Sequence, residues 1–217
     1  MKINYNNIQN NINNDINSNT NYNIHINIKK TFGGIIMKIT GFSGSPNRNG
    51  STATLVNKIL NTADENNHDT KFYSLNDLNI NPCQDCGHCK ENEACDLDDD
   101  MNQLNKEIEE SDYIIIGSPI YYGEVSSQTK LFTDRFFSVY NSKTRDFDGK
   151  KAILIYTQGN PNPKTYESYT QHQKEFLYNF MNFDVMNTLV AAGIHSKEDL
   201  LEKEEILKEA ENIAMRI

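Results

Sequence analysis

The chain has 217 residues, a formal net charge of −9 and four cysteines, all within one short stretch. That length suits one domain with a full core, and the acidic balance argues against nucleic acid or an anionic membrane surface as the main partner. No apolar run approaches the roughly 20 residues needed to cross a bilayer, and residues 1–30 carry no secretory pattern, so thiols clustered in one loop point to a reducing cytoplasm.

Residues 1–36 form an asparagine-rich extension with too little apolar surface to offset its ordering entropy, and disorder is expected there. Within it Tyr22, Ile24, Ile26 and Ile28 alternate with polar residues at the strand period. The globular pattern opens at Met37, which raises the expectation that Met37 is the native start. From there strands and helices alternate across residues 37–217. A strand is expected over Met37–Ser43, and a helix over Ser51–Asn66 with Leu55, Val56, Ile59, Leu60 and Ala63 inward. A second strand follows over Thr70–Leu75, then a cysteine-rich loop at 82–100 and a helix from Met101 to Glu110. Tyr113–Gly117 reads as a buried central strand. The next helix runs through Val125, Phe132, Phe136 and Val139. Lys151–Thr157 is a strand, Lys164–Met181 a helix and Val185–Ala192 the last strand. Ser196 with Asp199 forms a capping box for the final helix. Five strands, each followed by a helix, imply a doubly wound α/β domain: a five-stranded parallel sheet of flavodoxin-like order, with helices on both faces and the cysteine loop inserted.

Ligands of open α/β sheets bind at the carboxyl ends of the strands. Strand one ends in Gly41-Phe42-Ser43-Gly44-Ser45-Pro46-Asn47-Arg48-Asn49-Gly50-Ser51-Thr52, and a helix begins at the end of that run. The helix N-terminus is an anion site, and Ser43, Ser45, Asn47, Ser51 and Thr52 add hydroxyls and an amide. The spacing fits neither a dinucleotide fingerprint nor an NTPase loop. A hydroxyl-rich loop without lysine suits a terminal monoester phosphate that is bound and never transferred, such as that of FMN. The plain alternative is an ordinary Ser/Asn cap after a Gly-Pro turn. After strand three, in the run Pro119-Ile120-Tyr121-Tyr122-Gly123, Tyr121 and Tyr122 can offer flat faces and the backbone of Ile120–Gly123 hydrogen-bonding groups to a flavin ring; the plain alternative is a tyrosine packed in the core. After strand four, Thr157, Gln158 and Gly159 form a polar turn at the same sheet edge.

Cys83, Cys86, Cys89 and Cys95 follow C-x2-C-x2-C-x5-C. Such a run can wrap one iron–sulfur cluster; a zinc site and redox-active or free thiols are the other readings. His88 lies inside the loop and is expected to face solvent, and His25, His68, His172 and His195 show no site spacing. The acidic residues Glu91, Glu93, Asp96, Asp98, Asp99 and Asp100 read as a solvated face.

The Gly44–Thr52 block resembles the FMN phosphate loop of the NADPH-dependent FMN reductase group. Asp112 through Tyr122, followed by Ser126, Lys130 and Asp134-Arg135, resembles that group's S-P-[IV]-Y loop and the helix behind it. The cysteine run followed by Asp99-Asp100-Met101 resembles the archaeal-type iron–sulfur flavoproteins. The resemblance implies FMN and a [4Fe–4S] cluster, with Cys83, Cys86, Cys89 and Cys95 as metal ligands. It also implies a homodimer or homotetramer that brings each cluster near an FMN, and ferredoxin as electron donor. The function expected is an oxidoreductase that passes single electrons through the cluster to FMN and on to a small-molecule or protein acceptor. No side-chain acid or base is required of it. The rivals are a cluster-free NAD(P)H-dependent FMN or quinone reductase and a non-catalytic electron carrier of flavodoxin type.

Overall fold

The computed structural model describes residues 35–92, 94–140, 142 and 146–217; the expectations for residues 1–34 lie outside that range. Strand β1 (Lys38–Ser43) pairs with β2 (Asp69–Ser74) on one side and β3 (Tyr113–Tyr121) on the other. Beyond β3 come β5 (Lys151–Gln158) and β6 (Asp184–Ala192), in the order β2–β1–β3–β5–β6, all parallel. This is the expected flavodoxin-like order.

The sheet has a sixth strand that the sequence reading lacks. β4 (Glu124–Val125) folds back antiparallel on the end of β3. Tyr122 (φ 53°) and Gly123 (φ 88°) supply the two left-handed residues that a tight hairpin turn requires. β3 also runs four residues past the expected Gly117, because Ser118 and Pro119 continue in register with Tyr156 and Thr157 of β5. Proline is tolerated here for a local reason. The Gly117 carbonyl faces β1, where it accepts from Gly44 N–H at 2.8 Å. Pro119, two residues on, faces the same side after β1 has ended, so its missing N–H forfeits no ladder bond.

Alternating strand residues divide the core into two layers. On one face α1 (Ser51–Glu65) buries Leu55, Val56, Ile59, Leu60 and Ala63, as expected, against Ile39, Ile115, Ile153 and Ile155. The C-terminal helix α8 (Glu204–Ala214) joins that layer through Ala210, Ile213 and Ala214. On the other face Phe42, Ile114, Ile116 and Leu154 meet Met101, Leu104 and Ile108 of α3 (Met101–Glu110), together with Phe132, Phe136, Phe147 and Phe183. A short helix, α2 (His88–Asn92), lies within the cysteine loop.

Three helices differ from expectation. The helix through Val125–Val139 is two, α4 (Ser127–Asp134) and α5 (Phe137–Tyr140), because Val125 belongs to β4 and Ser126 caps α4 by accepting from Thr129 N–H. Phe132, Phe136 and Val139 are buried all the same. The helix over Lys164–Met181 starts at Glu167 as α6 (Glu167–Gln173) and widens into a π-helical turn over Lys174–Asn179. The capping box of Ser196 and Asp199 is present, but it opens a short helix, α7 (Lys197–Leu201), that stops before α8. Among the described residues no helix is long and apolar enough to cross a membrane.

Candidate functional site

The carboxyl ends of β1, β3, β5 and β6 border one cleft. The β1–α1 loop holds its shape by its own polar groups. Asn47 N–H donates to Ser45 Oγ at 3.2 Å, Asn49 N–H to Asn47 Oδ1 at 3.1 Å, and Gly50 N–H to Asn47 O at 3.0 Å. Underneath, Ser126 Oγ donates to Gly44 O at 2.5 Å and shares a hydrogen bond with Thr129 Oγ1 at 2.9 Å. No side chain caps α1, whose N-cap is Gly50, so its first N–H groups remain available at the cleft. Thr52 Oγ1 lies 2.7 Å from Thr157 Oγ1, and Ser51 Oγ donates to Ser196 O at 2.8 Å, tying the loop to β5 and to the β6–α7 connection. Arg48 turns away, toward Asp77 at 3.0 Å.

The cleft encloses about 560 Å³ including its mouth, within the range of small-molecule sites. Ser45, Asn47, Ser51 and Thr52 line it from the first loop, Pro119, Ile120 and Tyr121 from β3, and Thr157, Gln158 and Gly159 from β5. Three expected residues do not. Ser43 is buried beneath the loop, with its Oγ 3.5 Å from Ser45 N. Tyr122 is fully exposed on its left-handed turn, and Gly123 completes that turn facing Tyr166.

Gly50, Ile194, His195, Ser196 and Lys197 also line the cleft and were not foreseen as site residues. Gly50 belongs to the first loop, and the signal of the other four was topological, since they follow the fifth parallel strand at the same sheet edge. His195 lies directly over Gly159, where an added Cβ would stand 2.7 Å from its Cε1. His195 and Lys197 give the cleft basic side chains that the first loop, with Arg48 turned away, does not.

Gln158 carries an unmet need. Its side chain is buried, and its Nε2 donates to Asn160 O at 3.1 Å and Asn162 O at 2.8 Å, which fixes the amide's orientation. Its Oε1 then has no partner among the described residues. A buried acceptor left bare costs about 1–3 kcal/mol, so the wall suits a ligand that donates a hydrogen bond. Hydroxyls, free helix N–H groups and two basic side chains suit an anion. A flavin carrying a terminal phosphate has both features.

The second site is the cysteine loop, which is closed at its base like a purse. Asn79 N–H donates to Asp100 Oδ2 (2.7 Å), and Asp100 N–H returns a bond to Asn79 O (3.0 Å). One level up, Asn81 N–H donates to Asp99 Oδ2 (2.9 Å). Arg135 crosses this neck. Its Nη1 donates to Asp99 Oδ2 (2.5 Å) and Asn81 O (2.8 Å), and its Nη2 to Asp99 Oδ1 (3.1 Å) and Cys95 Sγ (3.2 Å). The side chains of Arg135 and Asp99 are 1% and 0% exposed. Burial pushes the Asp99 carboxyl up, but the Arg135 guanidinium and the N–H groups of Asn81 and Met101 outweigh it and leave it below the usual range. Asp99 and Asp100 are therefore closures of the loop rather than members of a solvated face; Glu91, Asp96 and Asp98 are exposed as expected, and Glu93 lies outside the described residues.

All four cysteines are free thiols and line one small cavity with Asp134, Arg135, Phe137 and Ser138. Asp85 (φ 48°) and Gly87 (φ 76°) make the turns that bring Cys83, Cys86 and Cys89 round it. Burial raises the Cys89 thiol, and the nearby Cys95, Cys83 and Cys86 raise it further, as expected of sulfurs crowded together. His88 does not line the cavity; its Nδ1 lies 3.8 Å from Asp96. Among the described residues no three His, Cys, Asp or Glu side chains converge as ligands of a metal ion. The cysteine cavity shares no lining residue with the cleft.

Residues 37–196 match a family model described as NADPH-dependent FMN reductase. An iron–sulfur flavoprotein of Methanocaldococcus jannaschii is 46% identical over 99 residues, covering 46% of this chain and 51% of that protein. A second iron–sulfur flavoprotein of the same organism is 30% identical over 158 residues, covering 72% and 75% of the two chains. Across three such relatives the matched stretch spans about half to three-fifths of their length (51%, 62% and 52%). Among solved structures, an NAD(P)H:quinone oxidoreductase from Methanothermobacter marburgensis superposes with a TM-score of 0.67 at 12% identity, over 83% of this chain and 96% of that one, a likeness of fold.

Proposed function

This chain belongs to the NADPH-dependent FMN reductase family, in its iron–sulfur flavoprotein branch, and from that premise we propose a flavin-dependent oxidoreductase that holds FMN in the cleft and a [4Fe–4S] cluster on Cys83, Cys86, Cys89 and Cys95. The observation that carries the reading is the gathering of all four thiols around one cavity of an FMN-reductase domain. Residues 37–217 are the FMN-binding domain, 82–100 its cluster loop, and 1–36 an extension to it.

Bound FMN supplies one- and two-electron chemistry, and the protein contributes position and electrostatics. Ser45, Ser51 and Thr52, with the N–H groups opening α1, would hold the phosphate, and Asn47 fixes the loop around it. Lys197 would offset its charge, and His195 would border it. Gln158 would orient the flavin through its side-chain amide, and Pro119, Ile120 and Tyr121 would line its side of the cleft. Arg135 and Asp99 keep the cysteine loop closed so that the four sulfurs stay in one cavity. The partners proposed are a one-electron donor such as ferredoxin, a small-molecule or protein acceptor, and a second copy of the chain. Thiolate ligation fits a reducing cytoplasm.

Anaerobic rapid mixing tests this reading. Reduced ferredoxin is expected to bleach the flavin of the wild type, and Cys89→Ser is expected to keep its FMN while losing that reaction. Bleaching by NADPH alone, equal in both proteins, would overturn it in favour of a cluster-free reductase.

A further inference from the structure

We propose that Arg135 is the positioning residue of the metal centre: it holds Cys95 as the fourth ligand and, by hydrogen-bonding its sulfur, raises the centre's affinity for an electron. The inference rests on reading the cysteine cavity as a cluster site.

Three cysteines come from one short run and can be brought together by local turns at Asp85 and Gly87. Cys95 stands six residues beyond Cys89 and has no such local constraint. What fixes it is a contact from another part of the chain, the Arg135 Nη2–H donated to Cys95 Sγ at 3.2 Å. The guanidinium cannot drift from that sulfur, because Asp99 takes both of its ends and Asn81 O takes a further donor. It thereby joins Asn81, two residues before Cys83, to Asp99, four residues after Cys95.

Closure alone does not account for this choice of side chain. Burying a guanidinium costs several kcal/mol before it is repaid by its partners. Asp99 takes one donor from each Nη and Asn81 O a second from Nη1, yet the second donor of Nη2 faces sulfur. A neutral thiol is a weak acceptor, whereas a thiolate bound to iron is a strong one. An electron entering the cluster adds one negative charge without making or breaking a bond. A donated N–H on a ligand sulfur withdraws part of that charge and favours the reduced state. Asp99 cancels the guanidinium's net charge at a distance, so the effect on Cys95 comes chiefly from the local N–H. A lysine in this place would offer a point charge without the planar fork.

The test uses anaerobically purified holoprotein. Iron, sulfide and FMN are counted first, and the cluster is then titrated by potentiometry with its EPR signal as readout. Arg135→Met alone would leave a buried, unpaired Asp99, so the variants are Asp99→Asn with Arg135→Met, which leaves no orphan charge, and Arg135→Lys. At the wild-type midpoint the double variant is expected to shift the oxidised-to-reduced ratio at least tenfold toward oxidised, about 59 mV for one electron. Arg135→Lys is expected to shift it less, in the same direction. Ratios within twofold of wild type in cluster-loaded variants would overturn the proposal. If the double variant loses iron but keeps FMN, Arg135→Lys decides by the same criterion. A wild type without iron and sulfide would overturn the cluster reading together with this one, and the metal count tells that failure from an unchanged potential.

Discussion

Gly44 lies where β1 gives way to the loop of the cleft, and replacing it with alanine puts the local packing to a quantitative test. An added Cβ would stand 1.8 Å from Thr129 Oγ1, 3.0 Å from Thr129 Cβ and 3.1 Å from Ser126 Oγ. None of these atoms is the end of a long, flexible side chain. Ser126 and Thr129 are both 1% exposed, and Ser126 Oγ simultaneously binds Gly44 O and caps α4. Overpacking at such a site costs about 1–3 kcal/mol, and a disturbed N-cap about 0.5–2 kcal/mol. Gly44→Ala is therefore expected to lose about 2–4 kcal/mol, and the melting temperature to fall by roughly 5–15 °C for a domain of this size. A double-mutant cycle isolates the clash. Thr129→Ala removes the Oγ1 that overlaps most and by itself costs about 1 kcal/mol as a lost buried hydrogen bond. The pair Gly44→Ala with Thr129→Ala is expected to cost at least about 1 kcal/mol less than the sum of the singles. Chemical denaturation of the four proteins measures this directly. Strict additivity, or a Gly44→Ala protein as stable as wild type, would refute the assigned packing of loop against helix.

Two further substitutions probe charge and ligand. Glu107 on α3 accepts from Lys71 Nζ at 2.5 Å and lies 3.6 Å from Lys38 Nζ; burial pushes its carboxyl up, but the hydrogen bond and charge of Lys71 bring it below its usual value. A depressed folded pKa gives stability that is complete above the unfolded value of about 4.3 and is lost as pH falls through the folded one. Because Lys71 is half exposed, Glu107→Gln is expected to cost only about 0.5–1 kcal/mol at pH 7, with the gap closing as pH falls below that unfolded value. Urea midpoints measured across that range check this, and a gap independent of pH contradicts it. Thr52→Val removes a hydroxyl assigned to the flavin phosphate; a hydrogen bond to a charged group is worth about 1.5–3 kcal/mol, so FMN affinity of the apoprotein is expected to fall about 10- to 100-fold. Riboflavin, which lacks the phosphate, should bind both proteins alike, and an equal loss for the two ligands in calorimetry would remove Thr52 from the phosphate site.

Much of this architecture is legible in the chain because local and global signals coincide. Ile114, Ile115 and Ile116 supply both faces of a covered parallel strand, and α1 buries the five residues its periodicity marks. With the strands assigned, the rule that ligands sit at their carboxyl ends brings Ser45, Asn47, Ser51 and Thr52, Pro119 through Tyr121 and Thr157 through Gly159 to one cleft. What escaped depends on distant partners. Pro119 reads as a strand breaker until β1 is seen to end before it. His195 acquires a place only because Gly159 leaves room for it, a relation between two loops with no trace in spacing. Asp99 looks like one of several solvated acids, and its burial is decided by Arg135, 36 residues away. Tyr122 was read with its neighbour as a ring platform, but the left-handed turn that starts β4 carries it into solvent.

The central claim, two redox centres in one domain, is tested most directly by the composition of the anaerobically purified protein. FMN, iron, acid-labile sulfide and zinc would be quantified on the same sample whose visible spectrum is recorded. The expected result is about one FMN with about four iron and four sulfide per chain, and flavin bands over broad cluster absorption. Stoichiometric FMN with zinc, or with no metal at all, would contradict the claim and leave a flavin reductase with a structural cysteine loop.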